Sequence, residues 1–155
     1  MVENSSRRDL CRGLAAFAAL TAITSAPASA AAGNDPPLNH SQLFPYDKLP
    51  VHSSDNGGAS RAVMHGTLAT GEFVEVHETT LPPGHMPHPP HRHTHSEFLL
   101  MRDGKLEVNS DGQTGIIEAG GIAFTASGVL HSAKNVGDTP ANYFVVAVGI
   151  QKAIV

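Results

Sequence analysis

One cysteine stands in the 155 residues, at position 11. A disulfide framework and a thiolate metal site are therefore both excluded, and the fold must rest on its own apolar core. Basic residues are also sparse, with ten lysines and arginines against fourteen acids and a formal net charge of −4. From Lys48 to Lys152 they stand singly, so nucleic-acid binding has no electrostatic support. The apolar run from about Leu14 to Ile23 falls far short of the ~20 residues a membrane-spanning helix needs. No later stretch is apolar enough to cross a bilayer. Beyond residue 30 there is no helical periodicity, no internal repeat and no second domain.

Residues 1–30 read as a targeting segment to be set aside before folding is considered. Ser6-Arg7-Arg8-Asp9-Leu10 ahead of the apolar run resembles a twin-arginine export signal, and Ala28-Ser29-Ala30 offers a small-x-small cleavage site. Cys11 precedes the apolar run, which argues against lipidation. The competing reading is an uncleaved amphipathic anchor. Cleavage after Ala30 would leave 125 residues, remove three arginines and two acids, and move the formal charge to −5. The expected location is periplasmic or secreted, with no membrane attachment after cleavage.

Residues 31–60 read as an extension. Pro36, Pro37, Pro45 and Pro50 oppose helix, and Ser53-Ser54-Asp55-Asn56-Gly57-Gly58 is turn chemistry. Its apolar set (Leu43, Phe44, Tyr46, Leu49 and Val51) suits either a tail packed over its own domain or an arm laid across a partner subunit. Residues 61–155 break into short β-branched or alternating runs: Ala62–Leu68, Glu72–Leu81, Glu97–Arg102, Lys105–Asn109, Gly115–Glu118, Ile122–Thr125, His131–Asn135 and Tyr143–Val148. The breaks at Asp103-Gly104, Asp111-Gly112, Gly120-Gly121 and Gly137-Asp138 are good turns. Many short strands at regular spacing predict a single all-β barrel or sandwich.

Chemistry concentrates at His91-Arg92-His93-Thr94-His95-Ser96-Glu97. If extended, this stretch turns His91, His93, His95 and Glu97 to one face, because strand side chains alternate. Three imidazoles and a carboxylate on one face are costly to bury unless something binds them, and a transition-metal ion suits those donors. The bland alternative is a solvated histidine-rich loop.

Gly84, His91-x-His93-x3-Glu97-x6-Gly104 resembles the first motif of the cupin superfamily, with the leading glycine one residue further out than usual. Gly120-x5-Ala126-x-Gly128-x2-His131-x3-Asn135 resembles the second, with alanine in place of proline at position 126. The resemblance covers about Arg61 to Gly149. It implies a double-stranded β-helix (jelly-roll) barrel holding one divalent transition metal (Fe, Mn, Ni or Zn) through His91, His93, Glu97 and His131. His95 is not needed by that ligand set. It is either a partner that orients a ligand or holds a proton, making it the candidate catalytic residue, or a solvated residue on a bulge.

Glu72–Thr79 alternates as well, with Glu75 and His77 opposite Val74 and Val76. Facing inward, Glu75 and His77 would be acid–base candidates. The expectation is the reverse, with the valine face buried. His40, His52, His65, His85 and His88 read as surface or loop residues. The functional expectation is a metal-dependent enzyme (oxygenase, lyase or isomerase) acting on a small molecule; the alternative is a non-catalytic periplasmic module binding a small ligand or metal. A homodimer is expected, with the extension around Leu43 to Val51 contributing to the interface, because its apolar residues and Phe98 and Leu100, which face away from the metal, need cover.

Overall fold

The computed structural model describes residues 36–150, so residues 1–30, read above as an export segment, lie outside the described residues. Ten strands run in order: β1 (Pro37–Leu38), β2 (Val51–Ser53), β3 (Ala59–Leu68), β4 (Phe73–Leu81), β5 (Ser96–Asp103), β6 (Lys105–Ser110), β7 (Gln113–Glu118), β8 (Ile122–Thr125), β9 (His131–Asn135) and β10 (Ala141–Gly149). One sheet has the order β1-β3-β4-β10-β5-β8, with β2 also on β3, and a second has β7-β6-β9. All pairs are antiparallel except β1 with β3. A single 3-10 turn, Tyr46–Lys48, is the one helical element among the described residues. This is the all-β jelly roll that the turn spacing and motifs predict.

The core lies between the sheets and gathers Leu81, Leu99, Met101, Leu106, Val108, Ala133, Ala141, Tyr143 and Val145. Leu99 and Met101 carry the inward parity of Glu97, as the alternation requires. Gly104 closes the β5–β6 hairpin at φ +84°, a conformation that favours glycine. A Cβ there would also sit 2.7 Å from the Ala141 Cα. Asn135 is fully buried and ties three strands' ends together: its amide donates to the carbonyls of Leu81 (2.8 Å) and Thr139 (2.9 Å), and its oxygen accepts from the Gly137 N–H (2.9 Å).

One expectation needs correction. The valine face of β4 is not the interior one. Thr79 pairs with Tyr143 and His77 with Val145, and those partners point into the barrel with Leu99 and Met101. Glu75 and His77 therefore face inward. Val74 and Glu78 are nonetheless buried, because the extension covers the outer face of the sheet. The extension is largely irregular, as expected, with two short strands, β1 and β2, both paired with β3.

Its anchor is Tyr46. The Tyr46 hydroxyl donates to the Glu78 carboxylate at 3.1 Å, which also receives Arg61 at 2.9 Å and Arg102 at 2.6 Å. Both guanidinium carbons lie 4.8 Å from the Tyr46 ring centroid. A fully buried carboxylate is tolerated here because two cations and a hydroxyl satisfy it. Further along the same outer face Phe98 stacks near Phe124, centroids 5.0 Å apart, and Ile122 and Phe124 are more than half exposed.

Candidate metal centre

Strand β5 begins only at Ser96, so His91–His95 is irregular and not the extended run that simple alternation supposes. Pro89 and Pro90 withhold the N–H donors a strand would need on that side. The segment is pinned instead to the second motif. His91 and His131 exchange backbone hydrogen bonds at 3.1 Å in both directions. Arg92 donates to the Gly128 carbonyl at 2.6 Å, the Gly128 N–H to the His93 carbonyl at 2.8 Å, and the Ser127 hydroxyl to the Thr94 carbonyl at 2.6 Å. Upstream, the Gly84 N–H donates to the Asn135 carbonyl and the Asn135 N–H to the His85 carbonyl. The loop at 84–91 thus runs alongside β9, and the two motifs meet at one end of the barrel.

The side chains converge accordingly. One nitrogen from each of His91, His93 and His131 lies within 4.8 Å of the other two. The Glu97 carboxylate approaches His93 Nε2 at 3.3 Å and His131 Nε2 at 3.6 Å. His93 Nδ1 faces the His95 carbonyl at 2.8 Å, and His131 Nδ1 faces the Val129 carbonyl at 3.1 Å. A carbonyl can only accept, so both rings carry their proton on Nδ1 and leave a lone pair on Nε2. Those two Nε2 atoms, and Nδ1 of His91, are buried with no hydrogen-bond partner. Burial first, and then the neighbouring imidazoles of His88, His131 and His93, hold the His91 pKa below its usual range and favour the neutral form.

Unpartnered buried nitrogens cost free energy that an ion would recover. Imidazole donors with backbone-fixed tautomers fit a divalent transition metal, and His91, His93 and His131 form one group that could hold it, while Glu97 groups with His93 and His95. His95 lies beside this set. Its ring stacks on His93 with centroids 3.7 Å apart and an interplanar angle of 14°, and it can form a donor group with His93 and Glu97. Burial and then the His93 imidazole hold its pKa below the usual range.

A cavity of about 100 Å³ opens from the centre into the barrel, lined by His77, Thr79, His88, Glu97, Leu99, His131, Tyr143 and Val145 among others. Two of these were not expected there. His77 arrives because its face of β4 is the inner one. His88 sits in the proline-rich loop, where no periodicity signals direction, and its ring lies 4.1 Å from that of His91. A larger groove of about 500 Å³ runs between Leu43–Pro50 and strands β3 and β4, sharing only His77 with the metal cavity.

Residues 77–147 match the Cupin domain family model, and they fall in the one barrel among the described residues. A comparison with curated protein sequences returns no match. Among solved structures, an RmlC-like cupin from Shewanella frigidimarina is similar at 19% identity and TM-score 0.59, covering 74% of this chain and 97% of its own. A predicted oxalate decarboxylase from Thermotoga maritima is similar at 22% identity and TM-score 0.55, covering 69% and 98%. CENP-C of Drosophila melanogaster, in a structure bound to CAL1, is similar at 13% identity and TM-score 0.55, covering 68% and 84%. At these identities the likeness is one of fold.

Proposed function

We propose that this chain is an exported, metal-dependent cupin enzyme acting on a small molecule, with one divalent ion (Fe, Mn, Ni or Zn) held by His91, His93, Glu97 and His131. The observation that carries the reading is the set of three buried imidazole nitrogens without partners, on three histidines whose ligand atoms lie within 4.8 Å of one another beside a carboxylate. Such an ion supplies Lewis acidity, polarising an oxygen of whatever molecule enters the cavity. The chain's own residues do the rest. The carbonyls of His95 and Val129 hold the two imidazoles in register, Glu97 offsets one positive charge, and Leu99, Ala133 and Val145 keep the inner wall dry. His95, stacked on His93, is the candidate for holding a proton beside the centre.

Metal analysis of untagged protein tests the reading. About one ion per chain is expected, with a His91→Ala, His93→Ala double variant losing most of it; full occupancy in that variant would sink the assignment. A His95→Gln variant is expected to keep the ion and lose most turnover once a substrate is found. Retained turnover would return His95 to a bystander role.

The second reading, a non-catalytic binder of a small ligand or metal, draws on the apolar lining of the cavity and on the similar CENP-C structure, which is bound to CAL1. Persistent metal and ligand binding without turnover would favour it. Export rests on Arg7 and Arg8, and equal export of an Arg7→Lys, Arg8→Lys variant would remove that part. The proposed homodimer uses the outer face of β5 and β8, where Phe98, Ile122 and Phe124 form an exposed apolar strip beside the Tyr46 anchor.

A further inference from the structure

Beyond the metal ligands, the cavity has one polar group left over. Glu97 and His131 belong to the centre. Tyr143 and Thr79 are paired across β10 and β4, and burial pushes the Tyr143 hydroxyl pKa up, so it keeps its proton; His88 lies exposed at the mouth with Nδ1 against the Pro89 carbonyl. His77 is what remains. Its Nδ1 lies 3.2 Å from the Glu75 carboxylate two residues earlier on the same face of β4. An ionised carboxylate can only accept, so the neutral ring carries its proton on Nδ1 and offers a lone pair at Nε2.

Strand register places this pair across from the metal ligand. Glu75, Ala147 and Glu97 form one row over β4, β10 and β5, and His77, Val145 and Leu99 form the next. Two strand spacings put β4 and β5 roughly 10 Å apart. Ala147, between the two carboxylates, is itself buried, and the His95 imidazole lies near both of them, so His77, one row on, is the member of this face that reaches the cavity.

We propose that Glu75 and His77 form a dyad that accepts a proton from a small neutral protic ligand, one bearing a hydroxyl, enol or N-hydroxyl group, as it binds at the metal centre. In this step the ligand O–H bond breaks, its electron pair stays on the oxygen, and a new N–H bond forms at His77 Nε2. Charge supports this class of ligand. A divalent ion with Glu97 carries one net positive charge, which a monoanion neutralises; the new imidazolium is neutralised by Glu75. No lysine or arginine lines the cavity among the described residues, and Arg61 and Arg102 are engaged with Glu78 on the opposite face of the sheet. A polyanion would therefore find no cation beyond the ion itself. The cavity volume of about 100 Å³ matches roughly three water molecules, so the buried part of the ligand is about three or four heavy atoms. Glu75 lines the neighbouring groove rather than this cavity and acts through His77, as a positioning residue.

This inference rests on the metal reading, and its test separates the two. Metal content is measured first for the parent, His77→Gln and Glu75→Gln proteins, each loaded with Zn(II). Calorimetric titrations then compare acetohydroxamic acid, which must give up a proton, with azide, which has none to give. His77→Gln is expected to keep its metal, to bind acetohydroxamic acid about tenfold more weakly, and to bind azide within about twofold of the parent. Should His77→Gln fail to fold, Glu75→Gln carries the comparison with the same selective loss, at least about threefold. Equal changes for both probes, or none, would overturn the dyad and leave the metal centre standing. Loss of metal from His77→Gln alone would overturn it by making His77 a ligand. A parent protein without metal would remove both.

Discussion

His91→Leu should move stability in opposite directions with and without metal. In the metal-free protein, His91 Nδ1 is buried without a partner, an arrangement that costs about 1–3 kcal/mol. No hydrogen bond of the His91 side chain is lost in exchange, because the contacts that hold this residue are the backbone bonds to His131. The neighbouring imidazoles of His88, His93 and His131 are relieved of a polar ring. Leucine is close enough in volume to leave little cavity. The metal-free variant should therefore be more stable than the metal-free parent by about 1–2 kcal/mol, roughly 4–8 °C in Tm for a domain of this size. With metal at a hundred times its Kd, the parent should gain about 2.7 kcal/mol. The variant should gain little of this, so the order of the two proteins reverses. Thermal denaturation followed by circular dichroism, with chelator and then with excess ion, reads both arms. A leucine variant less stable than the parent in chelator would refute the orphaned-nitrogen argument. One that still gained the parent's full stabilisation from metal would refute His91 as a ligand.

Lowering the pH should weaken both the metal-free fold and metal binding. The folded pKa values of His91 and His95 are depressed, so their contribution to stability is complete above the unfolded value of about 6.5 and is lost as pH falls through it toward the lower folded values. Metal affinity has the same sign, because only neutral imidazole donates; a flat binding profile from about pH 7.5 to 5 would contradict the histidine ligands. Phe124→Asp, at an exposed position on the outer strip, should convert a dimer to a monomer by light scattering without changing metal content. A parent that is already monomeric at tens of micromolar would remove that interface.

The strands were legible because their signals are local: alternation, and turn residues such as Gly104 and Gly120 whose positive φ needs glycine. The two histidine motifs were legible through their spacing, and the structure brings His91, His93 and His131 together, with Glu97 near His93 and His131. The direction of β4 was not. Alternation distinguishes two faces but cannot say which is interior when both are covered, and here Tyr46 and its arginines bury the outer one. His88 escaped notice because a proline-rich loop carries no period from which direction can be read. His95 was given its place by a strand parity that the chain does not have there, since β5 starts one residue later.

The four proposed ligands are unequally distributed along the chain. His91, His93 and Glu97 fall within seven residues and travel together even when the polypeptide is unfolded, where His95 can join them. His131 comes from thirty-four residues beyond Glu97 and reaches the others only once β9 has docked against the 84–91 loop. An ion that finds the first three in a nascent chain gains little from folding, since affinity for the unfolded state cancels from the linkage. The coupling between metal and fold therefore runs through His131. Until that strand docks, the ion is bound by a peptide; afterwards it is bound by a protein, and its dissociation rate becomes a clock for the opening of one strand.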